Sequence, residues 1–430
     1  MSRFIFLTTV ACITILFACN SAPLPPENVL ATATPIIPTL TAFIIATPPP
    51  ATANIEPTVE PSSTSSPIPT ITATPTPAFP PFTGDRPIDR NKIGIQVHPF
   101  GENQEMIMQN LEALGVGWVK IQISWKLFQP DIDRLDDFWF TEADRLINGA
   151  NDQDIKVLVS IAKAPEWTRQ TTEEDGPPTD FGRFTEFTQL LAERYDGKVN
   201  AWELWNEPNL RREWNGALLN GAELTRLVAA GAAGIRAIDP TAVLISGAPA
   251  PTGINDGINA VDDRVYFEQM LAAGIAEYVD GIGYHPYSAS NPVWATLGQT
   301  ADYATSHNDH PSFFFSHTTS DYLALLEKYG VDKQLWGTEF GWGSYENLEK
   351  PAPAGVEYMN QINEWQQAEG LVDVYIFANE TDKLGPMFIW NLNFGPLLGP
   401  DFAESGYGIL RPDGSPRPAW YSIQNIPKRE

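Results

Sequence analysis

Between residues 86 and 430 the chain repeats one pattern eight times: a short apolar run, then a longer stretch with one apolar face. The runs are Ile93–His98 (IGIQVH), Trp118–Ser124 (WVKIQIS), Lys156–Ala162 (KVLVSIA), Ala201–Trp205 (AWELW), Ala242–Ala248 (AVLISGA), Gly281–His285 (GIGYH), Leu335–Glu339 (LWGTE) and Met387–Leu392 (MFIWNL). Short apolar runs read as buried strands, and the amphipathic stretches between them as the crossover helices that parallel strands require. Helices are expected at Gln104–Leu114, Thr141–Asp152, Phe181–Tyr195, Ala222–Ile238, Val265–Ala273, Ser320–Tyr329, Ala354–Gly370 and Pro416–Ile426. Gly115, Gly274 and Gly330 stand where helix ends favour a residue tolerant of left-handed dihedrals. Eight such units in this length define the expected fold class: α/β, a single (β/α)8 barrel of the TIM type. The run Leu371–Asn379 fits a strand or a helix, and strand eight is placed after it. His307–His317 (HNDHPSFFFSH) falls in a long loop after strand six.

The first 85 residues have another character. Residues 1–19 carry Arg3, an apolar run from Phe4 to Phe17, and Leu-Phe-Ala-Cys at 16–19. A run of this length suits a signal-peptide core and is short for a membrane span. Its ending resembles a bacterial lipobox, which implies lipidation at Cys19 and a membrane-anchored, extracytoplasmic protein. Cys12 and Cys19 are the only cysteines, so a chain starting at Cys19 holds no disulfide and must be stabilised by burial in a large core. Residues 20–85 are rich in Pro, Thr, Ser and Ala, without Lys or Arg up to Gly84. Such a composition denies the backbone donors that helices and sheets need, and reads as a disordered spacer ahead of a domain at 86–430. The net charge of −26 argues against a nucleic-acid partner, because a phosphate backbone demands a basic face. Nothing points to a protein partner.

In a barrel of this kind reactive side chains sit where strands end. Strand four ends in Asn206-Glu207-Pro208, strand six in His285-Pro286-Tyr287, strand seven in Glu339-Phe340-Gly341-Trp342 and strand eight in Trp390-Asn391. Two carboxylates, an amide, a His/Tyr pair and several indoles therefore converge on one rim. Two glutamates at apolar strand ends are costly unless paired or used.

These residues carry a resemblance. WELWNEPN, the later TEFGW and the intervening HPY are similar to clan A of the glycoside hydrolases, most like branches related to families 39 and 5. The resemblance implies a retaining glycosidase acting on a carbohydrate, with Glu207 as general acid/base and Glu339 as nucleophile. In that route two carboxyls lie about 5–5.5 Å apart across the scissile bond. An apolar, electronegative setting is expected to raise the pKa of Glu207. The resemblance also implies that Asn206 binds the sugar 2-hydroxyl, that His285 and Tyr287 belong to the site with the tyrosine orienting the nucleophile, and that Trp390 floors the subsite of cleavage. One departure stands out: the strand-two arginine common in family 5 is absent from WVKIQISW, where Lys120 is the only cation, and this argues against a plain family 5 assignment.

His98 and Trp125, ending strands one and two, are candidate substrate contacts balanced against packing roles, as is Trp167 in the loop after strand three. His307, His310 and His317 match no strong metal-ligand spacing and read as part of a lid. No metal or cofactor is expected. The rival to a hydrolase is a non-catalytic glycan-binding barrel; transglycosylation would use the same residues.

Overall fold

The structure is a computed structural model and describes residues 83–399 and 401–430. The expected signal peptide, Cys19 and nearly all of the expected spacer therefore lie outside the described residues. The strands are β1 Ile93–Gln96, β2 Trp118–Ser124, β3 Lys156–Ala162, β4 Ala201–Asn206, β5 Val243–Ala248, β6 Gly281–Tyr284, β7 Gln334–Phe340 and β8 Leu384–Ile389. Every neighbouring pair is parallel, and β8 returns to β1 through Ile93↔Met387, Gly94↔Phe388 and Ile95↔Ile389. One main helix follows each strand: α1 Gln104–Leu114, α2 Asp137–Asp152, α3 Gly182–Arg194, α4 Gly221–Ile238, α5 Asp263–Ala272, α6 Phe315–Lys328, α7 Glu364–Asn379 and α8 Pro418–Asn425. The (β/α)8 barrel is thus the fold. A short parallel pair, Ile88–Asp89 with Lys428–Arg429, joins the start of the domain to its end.

Differences from the expected elements have local causes. Leu371–Asn379 is helical, the second half of α7, and α7 begins at Glu364 rather than Ala354. Asn363 and Gln366 form a capping box that sets this start, whereas Pro351 and Pro353 precede it. Asp136 caps α2 by accepting from Phe138 and Trp139, moving its start ahead of Thr141. α6 begins at Phe315, so His317 is helical rather than part of the loop. β8 starts at Leu384 and stops at Ile389, which leaves Trp390 just beyond its end. Gly115, Gly274 and Gly330 do adopt left-handed dihedrals, with φ of 62°, 79° and 66°.

The barrel interior is built in two levels. Trp118, Leu158, Ala201, Ile245, Trp336 and Phe388, one from each of six strands, form an apolar plug separate from the main core. The indoles of Trp118 and Trp336 meet edge-on at 5.4 Å. Glycine makes room for these rings: a Cβ at Gly94 would lie 2.5 Å from Phe388, and one at Gly281 2.7 Å from Trp336. Further along the strands the lining turns polar, with Lys120, Ser160, Glu203 and Thr338 all buried. The plug closes one end and leaves the strands' C-terminal ends to carry polar groups.

Removing the plug should cost fold rather than chemistry. Trp336→Ala is expected to lose about 3–5 kcal/mol, the range for emptying a large buried aromatic site. Urea denaturation measures this, and a loss below about 1 kcal/mol would show that the plug does not hold the barrel.

Candidate active site

The end of β4 is held in an unusual backbone shape. Trp205 has φ 91° and Glu207 φ 42°, positive values that residues other than glycine rarely adopt. Such conformations cost on the order of 1–3 kcal/mol each and persist only where surroundings impose them. Here Asn206 pairs with Ala248 of β5, and the Glu207 N–H donates to the Ala248 carbonyl at 3.0 Å. Asn209 ties the turn down by donating to the carbonyls of Ala250 and Val261 and accepting from the Ala250 N–H. The strained turn faces Glu207 toward residues from β6 and β7.

His285 Nδ1 lies 3.3 Å from Glu207 Oε1 and 3.9 Å from Glu339 Oε2. One ligand-capable atom from each of Glu207, His285 and Glu339 falls within 4.8 Å of the others. The Tyr287 hydroxyl donates to Glu339 Oε2 at 3.0 Å. From below, Lys120 Nζ donates to Glu339 Oε1 at 3.2 Å and to the Thr338 carbonyl at 3.1 Å, and pairs with Glu203 Oε2 at 2.9 Å. Arg212 Nη2 donates to Glu207 Oε2 at 2.7 Å.

These neighbours govern protonation. Burial opposes charge on Glu207, but the His285 hydrogen bond and the Arg212 guanidinium outweigh it and lower the carboxyl to about 2. This corrects the expectation of a raised pKa: the apolar setting is present, and the hydrogen bond from His285, followed by the Arg212 cation five residues along the chain, overrides it. Burial likewise opposes charge on Lys120, yet Glu203 and Glu339 together raise its pKa above the usual lysine value. Burial, joined by the Glu339 charge, pushes Tyr287 well up, so it remains a donor.

The remaining expected residues separate into two groups. Asn206 is buried beside Glu207, and its Oδ1 finds no hydrogen-bond partner among the described residues. Trp390, joined to Asn391 by a cis peptide, packs against Tyr407 at 5.1 Å, Phe394 at 5.7 Å and Tyr287 at 6.3 Å. These two stand with the carboxylates. Trp125 does not: its ring stacks on Phe187 of α3 at 4.8 Å and belongs to the main core, which makes it a packing residue. Trp167 meets Trp125 edge-on and donates to the Gln129 carbonyl. His98 sits edge-on to Phe100 and Phe394, one ring removed from Trp390, and burial lowers its pKa to about 4.

His307, His310 and His317 do not converge. His307 packs on Phe313 and Tyr358, His310 caps the turn Pro311–Phe313, and His317 accepts from the Leu297 N–H. Among the described residues, the cluster able to hold a metal is Glu207, His285 and Glu339 itself. Lys120 and Arg212 already place positive charge on its two carboxylates, which leaves less reason for a further cation there.

Arg212, Glu203 and Tyr407 escaped the sequence reading. Two arginines directly after NEPNL, and a glutamate between Trp202 and Trp205, were the available signals.

A closed eight-stranded barrel with paired glutamates at the ends of β4 and β7 defines a glycoside hydrolase of clan A. A family model described as cellulase (glycosyl hydrolase family 5) matches residues 84–368, well over half of the chain, and the chain belongs to that family. Lysine in place of the strand-two arginine does not remove it from the family. Among solved structures, a family 39 glycoside hydrolase from Bacteroides cellulosilyticus WH2 matches at 18% identity and TM-score 0.53, over 79% of this chain but 64% of that one. A glucosidase from Croceicoccus marinus matches at 16% identity and TM-score 0.54, over 79% and 68%. The endoglucanase Cel5A from Thermotoga maritima matches at 16% identity and TM-score 0.51, over 78% and 98%. No curated protein matches the chain.

Lys120→Met should leave Glu203 and Glu339 buried together without their cation. A loss of about 3–5 kcal/mol is expected in chemical denaturation, as for breaking a buried ion pair from one side. Unchanged stability would contradict the ion-pair geometry.

Proposed function

We propose that the protein is a retaining glycoside hydrolase that cleaves glycosidic bonds, β-linked in this reading, in a polysaccharide or oligosaccharide. The observation that carries the proposal is that Glu207, His285 and Glu339 each bring one nitrogen or oxygen within 4.8 Å of the others, which makes the two carboxyls a close pair. Retaining enzymes hold their carboxyls about 5–5.5 Å apart, whereas inverting ones leave about 6.5–9.5 Å for a water. Glu339 attacks the anomeric carbon while Glu207 protonates the departing oxygen; Glu207 then takes a proton from the water that releases the sugar. Tyr287 and Lys120 each donate to one oxygen of Glu339, which fixes the carboxylate for attack. Asn206 has a free acceptor beside Glu207 for the 2-hydroxyl, and Trp390, itself buried, packs edge-on against Tyr287, Phe394 and Tyr407 and backs the wall of the site. His98 serves the Trp390 wall through Phe394.

Solved relatives described as an endoglucanase, and as the same enzyme in complex with mannotriose, make β-glucans and mannans the first substrates to try. On a panel of polysaccharides and aryl glycosides, Glu339→Gln should abolish turnover while the fold survives. Glu207→Gln should lower kcat on unactivated glycosides by about 10²–10⁴-fold, the usual contribution of a positioned acid. Early-time NMR should show a product that keeps the substrate's anomeric configuration; an inverted first product, or near-normal activity of Glu339→Gln, would overturn the assignment.

We also propose that the protein is exported and anchored through a lipid on Cys19, supported by the apolar run and Leu-Phe-Ala-Cys ending of residues 1–19. Cys19→Ser should release the protein from the membrane fraction. Equal membrane association of variant and wild type would remove the anchor.

A further inference from the structure

The acid/base and the nucleophile each carry a cation, but the two cations are placed differently. Lys120 is enclosed on β2, with no exposed side-chain surface, between Glu203 and Glu339. Arg212 stands on the short turn Arg211–Glu213 after β4, and 28% of its side chain is exposed, against 6% for Glu207. Its turn is anchored without it. Arg211 pairs with Glu174 at 3.0 Å, and Lys163 reaches both Asp175 at 3.2 Å and Glu213 at 3.9 Å.

A general acid has to carry a proton when the leaving oxygen departs. A carboxylate held by a guanidinium at 2.7 Å keeps no proton at ordinary pH. The arrangement is therefore a general base ready for the second half of the reaction and closed to the first. Catalysis requires that the contact be released and remade within one turnover.

We propose that Arg212 is a displaceable clamp on Glu207, which a sugar ring entering on the leaving-group side pushes away so that Glu207 takes up from solvent the proton that it then delivers to the leaving oxygen. This rests on the glycosidase reading given above. A second buried carboxyl lies within electrostatic reach of the guanidinium. Glu404, on the one-turn helix Glu404–Tyr407, is 1% exposed, and neither carboxylate oxygen has a partner among the described residues. Arg212 already acts on it electrostatically, and burial pushes its carboxyl up to about 7. The groups facing Glu207 are few. They are His285 from the end of β6, Glu339 from β7, Arg212 and Glu213 from the turn after β4, and the phenols of Tyr287 and Tyr407. Only Arg212 combines a direct contact with partial exposure and a surface turn. Arg212 is thus a positioning residue that acts through Glu207.

The test compares wild type with Arg212→Met and Arg212→Lys on 4-nitrophenyl β-glycosides of glucose, mannose and xylose. The pH profile of kcat/KM reports the free enzyme, and that of kcat reports the complex. In wild type the basic limb of kcat/KM should fall at lower pH than that of kcat, by about one unit or more, or tenfold in proton affinity. Arg212→Met should move the kcat/KM limb up to meet the kcat limb, which stays in place, and Arg212→Lys should restore part of the gap. Coincident limbs in wild type, or a variant that lowers both constants without moving either limb, would overturn the clamp.

A thermal unfolding cycle judges the ion pair without turnover. Glu207 has a depressed folded pKa, so the stability it draws from Arg212 is present above about pH 4.5 and is lost as pH falls toward 2. The Tm difference between wild type and Arg212→Met should shrink across that window, and in a Glu207→Gln background it should stay flat. The same pH dependence in both backgrounds would overturn the clamp. Absence of turnover by every preparation on every glycoside, with the cycle behaving as expected, would instead count against the glycosidase reading.

Discussion

Buried negative charge is the constraint around which the barrel mouth is arranged. Glu203, Glu207 and Glu339 are each less than a tenth exposed and share one end of a closed barrel. Carboxylates so placed repel one another strongly where water is excluded, and each also loses its hydration. Lys120 and Arg212 offset this from opposite sides. The difference between them matters for function. In the roles proposed above, the enclosed lysine holds Glu339 in one state, whereas an arginine on a partly exposed turn lets Glu207 change state. Two chemically identical side chains thus stand beside counter-charges of different exposure.

The backbone supports that separation. The apolar plug around Trp118 and Trp336 fills the lower barrel and lets the upper lining be polar without loss of a packed centre. Strain is concentrated at Trp205 and Glu207, where Asn209 and the β5 edge hold the chain in place. Tyr407 joins the two walls of the site: its ring packs on Trp390 and Tyr287, and its hydroxyl meets that of Tyr358 at 2.7 Å.

Much of this was legible before any coordinates. Period and composition located all eight strands, because a strand buried on both faces writes a near-continuous apolar run. The strand-end rule then isolated Glu207, His285, Tyr287, Glu339 and Trp390 among many polar residues, and these are the ones that meet. Helix starts were less legible. That of α7 depends on a capping box at Asn363, which a search for apolar periodicity does not see. Long-range pairing was least legible. Lys120 could be noticed as a lone cation, but its partner Glu339 lies 219 positions away, and only barrel closure joins them. The direction of the Glu207 pKa was misread for the same reason: against burial it depends on His285, 78 positions away, and on how the Arg211–Glu213 turn folds back. Trp125 stayed open between substrate contact and packing because a residue just past a strand can face either the mouth or the surrounding helices, and here it turns to α3.

The central claim is that Glu339 forms a bond to sugar while Glu207 assists. A 2-deoxy-2-fluoro glycoside with a good leaving group slows release of the intermediate and traps it, and mass spectrometry of peptides from the inactivated protein identifies the labelled residue. One sugar per chain on the peptide carrying Glu339, and none after Glu339→Gln, is the predicted result. Label on another residue, or steady hydrolysis of the natural glycan with no adduct at any time, would contradict it.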